Sequence, residues 1–563
     1  MKQSCELFSL VILKNSSNHL KHFTFKGRQM HKLSLKIPSN EMIINPREID
    51  AEWLKYSESV KKIPKNIDIP MVINGKNVFS NAKIKNLNPS NGEILGSYQQ
   101  ADSSHSQLAI EAALSAKEQW SRLSPETRIQ KFRDLENVLL KWKYELCAVS
   151  SVECGYNAYE TYVEWAELMD FVRFNNYFYA ELLAEQLGDG WGETNQLKLR
   201  PLKGFTCAVT PFNFPQAIGY HLPLVMALTG NTVVWKPSED AVMSGFMLML
   251  ALEEAGFPPG VINMITGEGK LCLPSILTHP ELTALNFTGS FLTARAFGNY
   301  LFNTEYSRNN FPRFIAETGG KDFLVADSDL DFVETARCIV QGAFGRSGQK
   351  CSANSVVLVD EMAWSGLKTA LLNEANSLVI SNSIDRKCDV GPVINERQFN
   401  KITGYIDRAK KDKNCKIICG GNYDKSNGYY VYPTIIEIYA DKHELLSEEI
   451  FGPVVAVRTY KKFEDVLSII SQHNYRLTGS VVSRNEYFLE KSVPLLSQLA
   501  GNFYVNRKTT GAIVNMQPFG GDGASGTNGK AGGKWYLLNF ISQGTITRRN
   551  TFTTTSSVFE KMK

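Results

Sequence analysis

The chain is expected to be an α/β protein with two Rossmann-like parallel-sheet domains and a small β element for oligomerisation. Two stretches in which short hydrophobic runs alternate with amphipathic helical patterns point to the sheets. A length of 563 residues exceeds what one hydrophobic core usually serves. The strand-like runs WYLLNF and TITRR near the C-terminus suit an edge pairing with another subunit.

From about residue 103 to 187 apolar residues recur at three and four spacing, as in QLAIEAALSAKEQW and WAELMDFVRFNNYFYAELLAEQL, which predicts long amphipathic helices. The first alternation then runs FTCAV, a helix through LPLVMAL, NTVVW, a helix through FMLMLALEEAG, VINMIT, a helix near LPSIL, ALNF, and a helix through LTARAFGNYLF. The second begins at FLVAD and continues through a helix at DFVETARCIVQGAF, the strand SVVLVD, a helix at WSGLKTALLNEANSLV and the strand KIICGG. Strand and helix repeated in this way predict parallel sheets covered on both faces.

Apolar residues make up 43% and charged residues 21%, the balance of a globular protein, and a net charge of +4 gives no reason to invoke nucleic acid. Ten cysteines without a CxxC pair and eight histidines without HExxH spacing predict a reducing compartment and no metal site. No apolar run is long enough to span a bilayer. Residues 1–36 hold Lys2, Lys14, Lys21, Lys26, Arg28, Lys32 and Lys36 against the single acid Glu6. This leader fits a mitochondrial transit peptide, a short secretory segment around Leu7 to Leu13, or a solvated tail, with the first preferred.

The reactive centre is sought in GRSGQKCSAN, a Gly-rich loop between a predicted helix and strand, where Cys351 is either a nucleophile or a small buried filler. Glu317, in ETGGK, is its candidate base, since a carboxylate can activate the water that hydrolyses a thioester. In VTPFNFP, Asn213 either donates its amide to an oxyanion or satisfies turn backbone. Lys236 in VVWKPSE sits at the carboxyl end of a strand, where it either meets a ligand or is a solvated charge. In NFTGSFLTAR, Gly289 and Ser290 introduce a helix whose N-terminus either holds a pyrophosphate or is simply capped. Glu449 and Phe451 in EEIFGP offer a hydroxyl acceptor and a flat ring, or an edge acid and a core aromatic. The formal GxGxxG at Gly521, Gly523 and Gly526 follows no strand and opens no helix, so it is set aside.

In their order along the chain, VTPFNFP, VVWKPSE, NFTGSFLT, ETGGK, GQKCSAN and EEIFGP resemble the aldehyde dehydrogenase superfamily, over residues 40 to 545. GQKCSA and NRKTTGAIVNMQPFGGDGASGTNGKAGG are similar to the branch that oxidises glutamate semialdehyde to glutamate in proline breakdown. The resemblance implies that Cys351 attacks the aldehyde, that Asn213 and the Cys351 backbone N–H hold the oxyanion, and that Glu317 activates water. It implies NAD as cofactor, with Lys236 and Glu449 at the riboses, Gly289, Ser290 and Thr293 at the pyrophosphate, Thr210 beside the nicotinamide, and Glu239 disfavouring a 2′-phosphate. Ser352, Gly511 and Ala512 would hold the far carboxylate, and Phe214 and Phe519 would clasp the aliphatic chain.

It further implies a leader at 1–36, an NAD-binding domain at 37–194 and 206–316, a catalytic domain at 317–527, and an oligomerisation hairpin and tail at 195–205 and 528–563. A homodimer or higher homo-oligomer acting on a small aldehyde follows, without nucleic acid or a membrane span. Aligning on AELMDFVRF puts Thr161, with Glu160 and Glu164 nearby, where the family usually carries the glutamate that faces the substrate amine. Asn515 and Met516 replace the more usual glycine and polar residue in the substrate loop. A succinate-semialdehyde dehydrogenase and a non-catalytic scaffold of the same fold are the competing readings.

Overall fold

Strands buried on both faces read as unbroken apolar runs, and the central strands here follow that rule. In the computed structural model, which describes residues 35–303 and 310–549, every residue of Phe205–Val209, Val233–Lys236 and Asp322–Ala326 is buried. Two seven-stranded sheets result.

The first sheet has the spatial order Arg313–Glu317, Leu282–Thr288, Phe205–Val209, Val233–Lys236, Ile262–Met264, Met71–Ile73, Lys76–Val78. Its first five strands are parallel, and the last two form an antiparallel hairpin that closes one edge. The second sheet runs Cys415–Cys419, Thr434–Ile438, Val454–Tyr460, Asn354–Asp360, Asp322–Ala326, Thr478–Val482, Asn502–Val505, parallel except for the antiparallel edge strand Cys415–Cys419. Alternate residues feed separate cores, as the period of two requires. Ala208, Val233 and Trp235 join one cluster while Cys207, Val209 and Val234 join that on the other face. Phe323, Val325 and Leu358 likewise separate from Leu324, Ala326 and Val357.

The helical stretch resolves into Ser103–Arg122, Pro125–Lys141, Lys143–Cys154 and Ala158–Ala184. Local chemistry sets their ends. Asp102 accepts from the Ser104 and His105 N–H groups, and Ser124 caps a helix with Pro125 at its first position. Gly155, at φ 76°, ends the third helix. Asn157 and Glu160 then form a reciprocal capping box on the fourth.

One expectation changes. The run WYLLNF is not a strand: Lys534–Phe540 is a 3₁₀ segment that buries Tyr536, Leu537 and Phe540, a spacing strand alternation cannot supply. The tail strand Ile541–Arg549 finds its partner in its own chain, pairing antiparallel with Glu193–Pro201 through nine residues. The expected leader lies almost wholly outside the described residues.

Among the described residues no helix is long and apolar enough to cross a membrane. Asp412, Cys415 and His443 bring potential ligand atoms within 4.8 Å of one another. Hydrogen bonds already engage all three. His443 Nδ1 accepts from the Leu445 N–H, its Nε2 faces Asp412 at 3.2 Å, and the Cys415 thiol donates to the Ala409 carbonyl.

Candidate active site

The helix Phe332–Phe344 stops at Gly345, and the chain reverses through Arg346, Ser347 and Gly348, all left-handed at φ 54°, 53° and 67°. Two consecutive non-glycine residues in this region are costly and need firm support. A Cβ on Gly348 would fall 2.1 Å from the Gly452 carbonyl oxygen, so the EEIFGP loop lies directly on the turn. Phe451, the residue before, is itself left-handed at φ 59°. The turn delivers Cys351 just before the strand Asn354–Asp360.

Cys351 is 7% exposed, and its thiol donates to Glu317 Oε1 at 3.7 Å. Glu317 ends the edge strand Arg313–Glu317 of the first sheet, whereas Cys351 introduces a strand of the second, so the pair spans the two sheets. Burial pushes the thiol well above its ordinary range, reinforced by the nearby carboxylates of Glu317, Asp322 and Glu449. Burial likewise pushes Glu317 up to about 8, partly offset by the bond from Cys351. A carboxylate poised near neutrality beside a protonated thiol can take that proton, or one from water.

Both groups face a cavity of about 390 Å³ that Phe214, Ser352, Gly511, Ala512 and Phe519 also line. All seven expected substrate and chemical residues other than Asn213 therefore line one cavity. Gly511 is left-handed at φ 84°, and its carbonyl is fixed by Arg507 at 2.6 Å. Thr509 donates to the Ser352 carbonyl at 2.9 Å, tying the substrate loop to the nucleophile loop. Asn213 is buried next to Phe214, between the strand Phe205–Val209 and the helix Ala217–Leu228.

Most of the remaining expected residues follow strands of the first sheet at their carboxyl ends, while Glu449 and Phe451 come from the loop before Val454–Tyr460 of the second. Lys236 closes Val233–Lys236 at 5% exposure, its ammonium donating to the Pro237 carbonyl at 3.3 Å and to Glu239 Oε1 at 3.4 Å. Thr210 accepts from the Trp235 indole at 3.0 Å. Ser290 caps the helix Phe291–Phe302 by accepting from the Thr293 N–H, and its hydroxyl meets that of Thr293 at 2.8 Å. Gly289 donates its N–H to the Glu317 carbonyl at 3.1 Å, which links this helix entrance to the base. Glu449 accepts from the Gly320 N–H at 3.2 Å, and its oxygens lie about 2 Å from where a Cβ on Gly319 would stand. The set fits a dinucleotide: an ammonium and two carboxylates suit hydroxyl groups, and a helix N-terminus suits a diphosphate.

Thr161 is the residue the structure moves out of the site. It is fully buried, with its hydroxyl donating to the Ala158 carbonyl at 3.2 Å. On the helix Ala158–Ala184 the cavity is lined instead by a face that includes Glu160, Val163, Glu167 and Asp170, spaced by three and four. Glu160 is occupied by its capping box and by the Arg346 N–H. Glu167, which sequence reading missed, faces the cavity, and burial pushes its carboxyl up to about 8, with the Glu164 carboxylate adding to the rise. Helical periodicity within AELMDFVRF was the available signal, since Thr161 stands about 240° round the helix from Glu167. Lys350, also missed, lines the same cavity, and burial lowers its ammonium to about 8.

A Cys–Glu pair over a cavity, set beside a nucleotide-type sheet, defines a class of enzyme that oxidises carbonyl groups through a thioester. Residues 78–546 match the aldehyde dehydrogenase family, and the chain belongs to it. It is similar to the mitochondrial Delta-1-pyrroline-5-carboxylate dehydrogenase of Emericella nidulans, at 37% identity over 491 residues, covering 85% of this chain and 86% of that protein. The protein of the same name from Dictyostelium discoideum is 35% identical over 554 residues, covering 95% and 96%. Among solved structures, 1-pyrroline-5-carboxylate dehydrogenase from Thermus with bound NAD superposes with a TM-score of 0.87 at 31% identity, covering 92% of this chain and 100% of that one. The Delta-pyrroline-5-carboxylate dehydrogenase of Mycobacterium tuberculosis gives 0.88 at 34% identity, covering 92% and 97%.

Proposed function

We propose that this chain oxidises L-glutamate 5-semialdehyde, the open form of 1-pyrroline-5-carboxylate, to L-glutamate with NAD, in proline degradation. The observation that carries this reading is one cavity holding the Cys351–Glu317 pair together with Glu167 and the Gly511–Ala512 backbone. A substrate with an aldehyde, an ammonium and a carboxylate has a matching group for each. Relatives named for this activity support it.

The Cys351 sulfur attacks the aldehyde carbon while the thiol proton passes to Glu317. The Asn213 amide and the Cys351 backbone N–H donate to the oxyanion. NAD, when bound, accepts the hydride that leaves the tetrahedral carbon. Glu317, again ionised, takes a proton from water, which attacks the thioester and releases Cys351. The sum is aldehyde, water and NAD⁺ converted to carboxylate, NADH and two protons.

Lys236 and Glu449 hold the two riboses, Gly289, Ser290 and Thr293 border the diphosphate, and Thr210 and Phe451 flank the nicotinamide end. Glu239 repels a 2′-phosphate and so favours NAD over NADP. Glu167 pairs with the substrate ammonium, which returns its carboxyl to the ionised form. Ser352, Gly511 and Ala512 take the far carboxylate, and Phe214 and Phe519 enclose the carbon chain. The first sheet, with residues 37–194 and 206–316, serves the cofactor, and residues 317–527 carry the nucleophile.

The deciding assay compares kcat/KM for pyrroline-5-carboxylate and for succinate semialdehyde, which lacks the ammonium. A preference for the latter overturns the substrate assignment, and undiminished NADH production by Cys351→Ala overturns the mechanism. Residues 195–205 and 528–563 serve a homodimer or higher oligomer. The protein acts in the mitochondrial matrix, with residues 1–36 as transit peptide, a reading supported by relatives named mitochondrial. A fluorescent reporter fused behind residues 1–36 and left in the cytosol would refute the targeting.

A further inference from the structure

Arg346 is 2% exposed and has no part in the reaction steps above, yet it is the most heavily engaged side chain around the nucleophile. One guanidinium nitrogen donates to the backbone carbonyl of Asn213. The other donates to the Glu160 carbonyl and to Glu164 Oε2, each at 2.8 Å. Its guanidinium carbon lies over the rings of Phe214, at 4.2 Å from the centroid, and Tyr156, at 4.3 Å.

Glu164 completes the arrangement. It is fully buried, and its second oxygen accepts from the Gln216 N–H at 2.7 Å and the Ala217 N–H at 3.2 Å, at the start of the helix Ala217–Leu228. One ion pair therefore grips the loop at Asn213 and again at Gln216 and Ala217. Arg346 belongs to the same left-handed turn that places Cys351, so the grip connects the nucleophile loop of one sheet to the loop of the other.

We propose that Arg346 is a positioning residue that holds the Asn213 oxyanion donor and the Phe214 pocket wall in register with Cys351. This rests on the reading of Asn213 given above. A buried charge pair that hydrogen-bonds both ends of one loop, at Asn213 and at Gln216 and Ala217, is a costly device for mere stability, since apolar groups of similar volume serve that end as well. A guanidinium is suited to the task because it presents donors in several fixed directions and stacks on both faces. A lysine ammonium in its place keeps the charge and loses the geometry.

The test uses Arg346→Lys, Glu164→Gln, Asn213→Ala and the double variant R346K/N213A in the full-length protein, with folding checked by melting temperature. Two rates are read: kcat/KM for the aldehyde, and alkylation of Cys351 by iodoacetamide, a displacement that builds no oxyanion. Losing an oxyanion donor costs about 10²–10³-fold in kcat. Arg346→Lys and Glu164→Gln are expected to lose about tenfold or more of kcat, with alkylation unchanged per folded site and the double variant no slower than Asn213→Ala alone. Losses that multiply in the double variant, or alkylation that falls in step with kcat, would overturn the proposal. If Asn213→Ala itself retains full kcat, the underlying reading of the oxyanion donor fails instead, and the proposal falls with it.

Discussion

Glu317 and Glu167 are two carboxyls that burial raises to about 8 in one cavity, and their consequences differ. Glu317 must be ionised to act as a base, so kcat/KM should climb with pH and level off above a midpoint near 8. Glu317→Gln should abolish that limb and lower kcat by about 10²–10⁴-fold, read from initial rates between pH 6 and 10. In the proposed role, Glu167 governs affinity instead. Glu167→Gln should raise KM for pyrroline-5-carboxylate by about tenfold or more while leaving succinate semialdehyde little affected, as the loss of a charged hydrogen bond predicts. An acid with a raised folded pKa keeps its proton longer in the folded than in the unfolded chain. Each therefore removes stability as pH rises from the ordinary value of 4.5 to about 8. The fall in melting temperature over that window should be shallower in Glu167→Gln, and an unchanged slope would contradict the assigned burial.

At the scale of elements, the fully buried strands such as FTCAV and FLVAD were legible because a strand covered on both faces leaves an unbroken apolar run in the sequence. WYLLNF is similarly apolar but packs its aromatics from a 3₁₀ segment, which apolar content alone does not distinguish from a strand. Cys351, Glu317 and the substrate loop could be proposed from motifs, because the chemistry expected there fixes residue type. Glu167 and Arg346 could not, because their roles depend on which face of a helix and which loop they meet. The left-handed turn before Cys351 was equally hidden, and it makes a specific demand. Gly348→Ala meets both an unfavourable φ of 67° and a backbone oxygen at 2.1 Å, whereas Gly92→Ala, at φ 72°, meets open space. Gly348→Ala should cost about 1–3 kcal/mol or displace Cys351 and cut kcat by about tenfold, and Gly92→Ala about 1 kcal/mol with kcat intact. Equal effects on melting temperature and kcat would show that the turn tolerates rearrangement.

For the whole molecule, the sequence conveyed two parallel sheets but not how their edges are closed. The hairpin Met71–Ile73 with Lys76–Val78 carries a weak local signal, and the strand Cys415–Cys419, legible as KIICGG, gives no local sign that it runs antiparallel to its neighbour. The tail strand pairs with Glu193–Pro201 of the same chain, which leaves the expected pairing between subunits to the outer edges of that ribbon. That ribbon is two strands wide, with intermediate or exposed positions along Glu193–Pro201 and Ile546 half exposed. A two-stranded ribbon is marginally stable by itself, and both of its outer edges can accept another strand. Pairing within one chain thus supplies a ready-made edge for a second copy rather than removing the need for one. The full chain should therefore run at the mass of a dimer or larger in size-exclusion chromatography with light scattering. Deleting residues 543–563 removes most of one ribbon strand and should leave a monomer with the cavity intact, because none of the residues lining that cavity lies in the deleted segment. A full-length monomer, or a truncated form of unchanged mass, would assign the ribbon a role other than assembly.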